Sequence, residues 1–436
     1  MLIKSNLVKN NTGENTSKKV ILFIHRYPLD LVISTAPQTK MLLKTLSKKY
    51  YIYYISFSSR KNRSSSELKF SNLENIKIPI SLSRGEPLFF LKSILFPLLL
   101  MPFLIKLKMS QQNIVLTHCD DALPYYYYTV KKILNTKITY RMGDYMIGYL
   151  VDPDKSLLHR ILHNILYSTQ RRMLSKLDLI IVISNELYKY LIKSGISSVN
   201  ISVVPESIDI EIIKHLNLLN KNNRYLMQLR NKLGLTKKDL ILVFHGSMVP
   251  WKNLDVILKA FSLVIKEKPS SKLLIIGYGP LFNQIRKLSI NLRLKNYVIF
   301  TGWLPYRETL EYVMISDIGV VARKKILANQ FILTTALLQY LALGKPALAP
   351  DLLAIKELYK NFNLEKLLIY NPNDPHDLAT KIIKIIDNLN HVKKIIQSYV
   401  RPYIISKFSS EVIAMLESDI LLEILNSDNI IDKILY

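Results

Sequence analysis

The sequence predicts an α/β protein of two doubly wound, Rossmann-like domains in series that face each other across a cleft. Three observations carry this. Short runs rich in Ile, Val and Leu recur along the chain, segments of helical periodicity separate them, and the alternation pauses once near residue 220 before restarting. Strands that are apolar on both faces belong to parallel sheets covered by helices on both sides. The 436 residues also exceed the ~250–300 at which a single core stops growing.

Met1 to Lys18 is rich in Asn, Lys, Ser and Thr, lacks aromatics and is expected to be disordered. It has no apolar stretch of the kind a signal peptide needs. Val20 to His25 (VILFIH) reads as the first strand, ending at the turn Arg26-Tyr27-Pro28-Leu29-Asp30; a helical pattern follows through Met41, Leu42, Leu43 and Leu46. Tyr51 to Phe57 is the next strand. Leu88 to Ile105 is apolar apart from Lys92 and Ser93, and Lys106 and Lys108 follow it. Pro97 and Pro102 are expected to break this stretch, and with a charge inside it is short for a span. The readings are an interfacial segment on a membrane, a buried core helix or a true span. Asn113 to Thr117, Ile138 to Tyr140, Leu179 to Ile183 and Ile201 to Val204 complete a first domain placed at 19–212.

Lys214 to Arg230, polar and centred on Asn220 to Asn223, reads as the linker region and first helix of the second unit. The second domain, 213–405, follows with strands at Leu240 to Phe244, Lys272 to Ile276, Val298 to Phe300, Ile318 to Val321 and Ala347 to Ala349. Helices fall at Leu254 to Glu267, through Ile285 and Leu288, and at Leu333 to Ala342. Residues 406–436 read as helices that pack back on the first domain.

Sixty Lys and Arg against 33 Asp and Glu give a formal charge of +27. About 19 of that excess lies in the stretch up to Gly234, so the first half should face something anionic. No zinc finger, RNP-like sequence or basic run interleaved with aromatics points to nucleic acid. An anionic membrane surface fits better, met by Lys92, Lys106 and Lys108. The single cysteine, Cys119, excludes an internal disulfide and any cysteine-based metal site, and fits a reducing cytoplasm.

The motifs concentrate in the second half. His245-Gly246-Ser247 ends a strand and leads through Pro250-Trp251-Lys252-Asn253 into a helix, which sets a cation and free amides where phosphate is held. Gly277-Tyr278-Gly279-Pro280 ends the next strand and Gly302-Trp303-Leu304-Pro305 the one after. Each alone is an ordinary turn; together they rim one crevice.

In these residues the chain resembles the family 4 retaining glycosyltransferases of the GT-B fold. The family's segments are matched by Gly246…Lys252-Asn253-Leu254, by LLIIGYGP, by VIFTGWLP, by Ser316-Asp317-Ile318 and by Gln339-Tyr340-Leu341-Ala342-Leu343-Gly344-Lys345-Pro346. KLDLIIVISNEL, ISVVPESID and YNPNDPHDLATKI match further segments, so the resemblance covers roughly 110 to 410. It implies a nucleotide-sugar donor used as substrate with no cofactor or metal, a glycan or lipid-linked acceptor, and peripheral work on the cytoplasmic face of a membrane. It also implies a donor pocket formed by Gly246, Ser247, Lys252 on the diphosphate, Gly277, Trp303 and Leu304 on the base, Thr334 and Thr335 on sugar and phosphates, and Gln339 at the ribose.

The chain departs from the family in three places. The family's Glu-x7-Glu pair falls on Phe331 and Gln339, Ala336 stands where some subfamilies have lysine, and Ser247 stands where an arginine usually follows the glycine turn. A catalytically inactive relative, binding a membrane surface or a subunit, is therefore the alternative reading. In the first half, His118 after a strand and Asp144 after Gly143 are the catalytic candidates, against a plainer role for each as a satisfied half-buried side chain. Asp152-Pro-Asp154 reads as a capping turn, His159 and His163 as a helix face, and Tyr125 to Tyr128 as packing.

Overall fold

The computed structural model describes residues 19–25, 36–57, 72–78, 89–110, 112–120, 127–150 and 156–426. The expected disordered tail, the turn after His25, Tyr125 and Tyr126, the Asp152-Pro-Asp154 segment and the side chain of Lys92 lie outside what is described. The described strands are β1 Val20–His25, β2 Tyr51–Phe57, β3 Leu73–Ile78, β4 Ile114–Asp120, β5 Lys137–Met142, β6 Leu179–Val182, β7 Ile201–Val203, β8 Leu240–His245, β9 Ser271–Ile276, β10 Val298–Gly302, β11 Ile318–Val320, β12 Ala347–Pro350 and β13 Ile369–Tyr370. They form two parallel sheets, ordered β3-β2-β1-β4-β5-β6-β7 and β10-β9-β8-β11-β12-β13. The strand order reverses between β1 and β4 in one sheet and between β8 and β11 in the other, and ligands of open α/β sheets bind outside the strand ends at such a reversal.

Two strands go beyond the sequence reading. β3 (LENIKI) alternates in burial because it is an edge strand, and β13 has only two residues at the opposite edge of the other sheet. The stretch read as linker region and first helix holds two helices: Ile210–Leu219 buries Ile210, Ile213 and Leu216 in the second core, and Asn223–Lys232 follows. That core draws its buried residues from Ile208 to Phe408. The last described helix, Ser410–Asn426, crosses back, and its Ile413, Ala414, Leu421 and Ile424 pack against Leu42, Leu43 and Leu46 of the Ala36–Leu46 helix on the first sheet. Ile208 pairs with Ser409 where the two chain crossings meet: Ile208 N donates to the Phe408 carbonyl (2.8 Å) and Ser410 N to the Ile208 carbonyl (2.9 Å).

The prolines do not break the long apolar stretch. Phe89–Met109 is one helix. Pro102 and Leu98 both face solvent, so the Leu98 carbonyl that loses its amide partner can turn to water. Leu100, Leu104 and Leu107 form a buried stripe, while Leu98, Ile105, Met109, Lys106 and Lys108 are exposed. Among the described residues no helix is long and apolar enough to cross a membrane. The Leu157–Leu174 helix, capped by Ser156, carries a second exposed apolar face of Leu157, Leu158, Ile161, Leu162 and Ile165; it has Arg160, Arg171 and Arg172 and no acidic residue. Both helices lend residues to the same core cluster, hence to the same side of the first sheet.

Candidate active site

Three glycines set the floor of the second domain's strand ends. Gly246, Gly277 and Gly302 follow β8, follow β9 and end β10, all with positive φ, and Gly277 N donates to the Gly302 carbonyl (2.8 Å). A Cβ on Gly277 would lie 2.1 Å from the Gly246 carbonyl oxygen, so no side chain fits there. The chain can then pass tightly enough to bring Lys252, just before the Leu254–Glu267 helix, over the Phe244 ring with Nζ 5.3 Å from its centroid.

A cavity of about 430 Å³ opens between the two sheets. Phe23, His25, His118, Arg141, Gly143 and Asp144 line it from the first domain, and Gly246, Ser247, Lys252, Arg323, Thr334 and Thr335 from the second. Seven of the site residues read from sequence thus share one space: His118, Asp144, Gly246, Ser247, Lys252, Thr334 and Thr335. Thr334 also caps the Thr335–Ala342 helix, its hydroxyl accepting from Leu337 N. Four residues lie outside the lining. Gly277 supports the floor, Trp303 is 74% exposed, Leu304 is half-buried, and Gln339 is buried with Nε2 donating to Tyr306 Oη (3.0 Å).

Electrostatics divide the cavity. On the second-domain side, Lys252 and Arg323 have no carboxylate partner among the described residues. Desolvation, with the Arg323 charge second, pulls the Lys252 ammonium down to about 7, and burial pulls the His245 imidazole down to about 3. On the first-domain side a buried carboxylate arrives from the far end of the chain. Glu417 accepts from Gln38 Nε2 (2.7 Å) and Arg141 Nη1 (3.1 Å) and lies 3.8 Å from His118 Nε2. His118 Nδ1 shares a proton with Thr139 Oγ1 at 2.8 Å, so the ring is held from both nitrogens. Sequence reasoning missed Glu417 and Arg323: a glutamate on an amphipathic tail helix and an arginine in a basic loop carry no local signal.

The remaining motif residues have structural work. Phe331 does not fill the cavity; it packs into the first domain, with ring centroids 5.8 Å from Tyr145 and 4.9 Å from Tyr190. His163 is buried and shares a hydrogen bond with Tyr145 Oη (3.1 Å), and Tyr127 is buried against Tyr140. Among the described residues no group of three or more side chains could hold a metal ion.

Residues 227–399 match the family model described as glycosyl transferases group 1. An uncharacterized glycosyltransferase of Methanocaldococcus jannaschii is 25% identical over 236 residues, 54% of this chain and 55% of that one. The alpha-monoglucosyldiacylglycerol synthase of Streptococcus pneumoniae is 28% identical over 142 residues, 33% of this chain and 32% of that one. The match thus spans about half of the first relative and a third of the second. A crystal structure of Anabaena HepE in complex with UDP-glucose superposes with a TM-score of 0.66 at 14% identity, over 93% of this chain and 99% of that one. With the family model on the domain that holds the glycine floor and Lys252, and the two-sheet architecture matched throughout, the chain has the GT-B fold and is similar to the group 1 glycosyl transferases across its second domain.

Proposed function

We propose that the protein transfers a sugar from a nucleotide-sugar donor to a lipid-linked or membrane-proximal glycan, with retention at the anomeric carbon and without a metal, at the cytoplasmic face of a membrane. The observation that carries the donor half is the Lys252 ammonium. It stands above the glycine floor with no carboxylate partner among the described residues, beside a helix N-terminus, in a cavity between two strand-order reversals. A leaving diphosphate gains negative charge in the transition state, and a fixed cation there stabilises that charge more than the ground state. Lys252 would meet the diphosphate, Ser247 and Gly246 would offer the turn, and Thr334 and Thr335 would border the sugar. His118, held between Thr139 and Glu417, and Asp144 would face the acceptor side.

The acceptor half rests on surface chemistry. The exposed aliphatic faces of the Phe89–Met109 and Leu157–Leu174 helices lie on one side of the first sheet and carry Lys106, Lys108, Arg160, Arg171 and Arg172. Apolar side chains ringed by cations suit an anionic lipid surface. The names of relatives point the same way, since the pneumococcal synthase is named for a glucosyldiacylglycerol. A thermal-shift screen of UDP, GDP, ADP and CDP tests the donor reading. One nucleotide at 100 times its Kd should stabilise the protein by ~2.7 kcal/mol; no response to any of the four would refute it.

A further inference from the structure

Lys252 enters the cavity before the Leu254–Glu267 helix and Arg323 after β11, so the two cations come from different segments of one domain. Neither is neutralised by a carboxylate among the described residues. Arg323 Nη1 donates to Asn329 Oδ1 (2.7 Å) and Tyr149 Oη (3.0 Å), while Nε is buried and finds no hydrogen-bond acceptor among the described residues. Two unneutralised cations in a half-enclosed space repel, and an anion carrying two or more charges between them removes that repulsion. Ser247, directly after Gly246, carries no charge and cannot supply this one.

We propose that Arg323 is the second cation of the diphosphate site, and that Tyr149 of the opposite domain is its positioning residue. The proposal rests on the nucleotide-sugar reading above. Asn329 cannot turn its amide away, because Nδ2 already donates to the Trp251 carbonyl (3.1 Å) and the Lys324 carbonyl (2.8 Å). Its oxygen therefore faces Arg323 and Tyr149, whose hydroxyl lies 3.0 Å from it. The Tyr149 ring packs on Trp251 with centroids 5.0 Å apart. One guanidinium nitrogen is thus engaged and Nε is buried, and Nη2 remains to meet a phosphate oxygen. Because Tyr149 stands on the Met146–Leu150 helix of the first domain, one of the two acceptors that hold Arg323 Nη1 is supplied across the domain contact, while Asn329 supplies the other locally. Donor affinity is then coupled to the interdomain contact.

The test is calorimetry of inorganic pyrophosphate, of the nucleoside diphosphate that binds best, and of its free nucleoside. Arg323→Gln should weaken pyrophosphate and diphosphate by about tenfold or more and leave the nucleoside unchanged; Arg323→Lys should recover part of the loss. Tyr149→Phe, which keeps the ring on Trp251, should weaken the diphosphate about threefold and the nucleoside not at all. If Arg323→Gln bound diphosphate within twofold of the parent while Lys252→Ala lost it, the second cation would be refuted and the donor reading would stand. Wild-type affinity in Tyr149→Phe would overturn the positioning role. If the parent bound none of these ligands, both readings would fall. Melting temperatures guard against misfolding, and removing an unneutralised cation should not lower them.

Discussion

Raising the pH from 7 to 9 should strip nucleoside diphosphate from this protein through Lys252 alone. Its ammonium is held at about 7 against an ordinary 10.5, by desolvation and then by the Arg323 charge. A bound diphosphate restores the charged form, so binding takes up a proton wherever the free lysine is neutral. With a free value of 7, affinity should fall about fiftyfold between pH 7 and 9, ~2.3 kcal/mol, and binding at pH 8 should take up about 0.9 proton. A phosphate's own last proton, near pH 6, is already gone there. For the unliganded protein the sign is opposite. The lysine is depressed by folding, so the unfolded chain binds more protons between pH 7 and 10.5; stability rises through that window, and the full cost is present below 7. Calorimetry in two buffers of different ionisation enthalpy reads the proton directly, and Lys252→Arg, charged throughout, should bind with a flat pH profile. Affinity constant within twofold from pH 7 to 9, with uptake below about 0.2 proton at pH 8, would refute this account of the cavity.

Two further outcomes are expected. Glu417→Ala removes the carboxylate that neutralises the buried Arg141 guanidinium and should cost about 3–5 kcal/mol, seen as a lower Tm, with Glu417→Gln losing less; an unchanged Tm would mean the pair is not formed. Replacing Leu158, Ile161 and Ile165 together by Gln should reduce flotation with anionic vesicles without lowering Tm, since all three side chains already face solvent. Equal flotation of parent and variant would refute this face as a membrane-binding surface.

The fold was legible wherever burial is two-sided. β1 and β8 read as unbroken apolar runs because helices cover both faces, and the glycine turns after β8 and β9 stood out because backbone packing forbids a Cβ at Gly277. β3 was not legible, since an edge strand alternates and looks like loop. Nor was the continuity of Phe89–Met109, because whether Pro102 breaks a helix depends on whether the freed carbonyl can reach water. In the site, Lys252 announced itself by its place before a helix. Arg323 and Glu417 did not, because what matters for each is a partner distant in sequence: Tyr149 for the arginine, and Gln38, His118 and Arg141 for the glutamate.

The Glu417 contact also sets an order in time. Arg141 and Glu417 are 276 residues apart, so at ~5–20 residues per second the glutamate leaves the ribosome roughly 14–55 s after the arginine it will neutralise. Through that interval the first sheet can pair its strands, but Gln38, His118 and Arg141 lack the acid that ties them together, and the face that will receive Ile413, Leu421 and Ile424 is uncovered. The first-domain wall of the cleft is thus finished by a segment made long after it, and a chain that stops short of the Ser410–Asn426 helix is born with that wall incomplete.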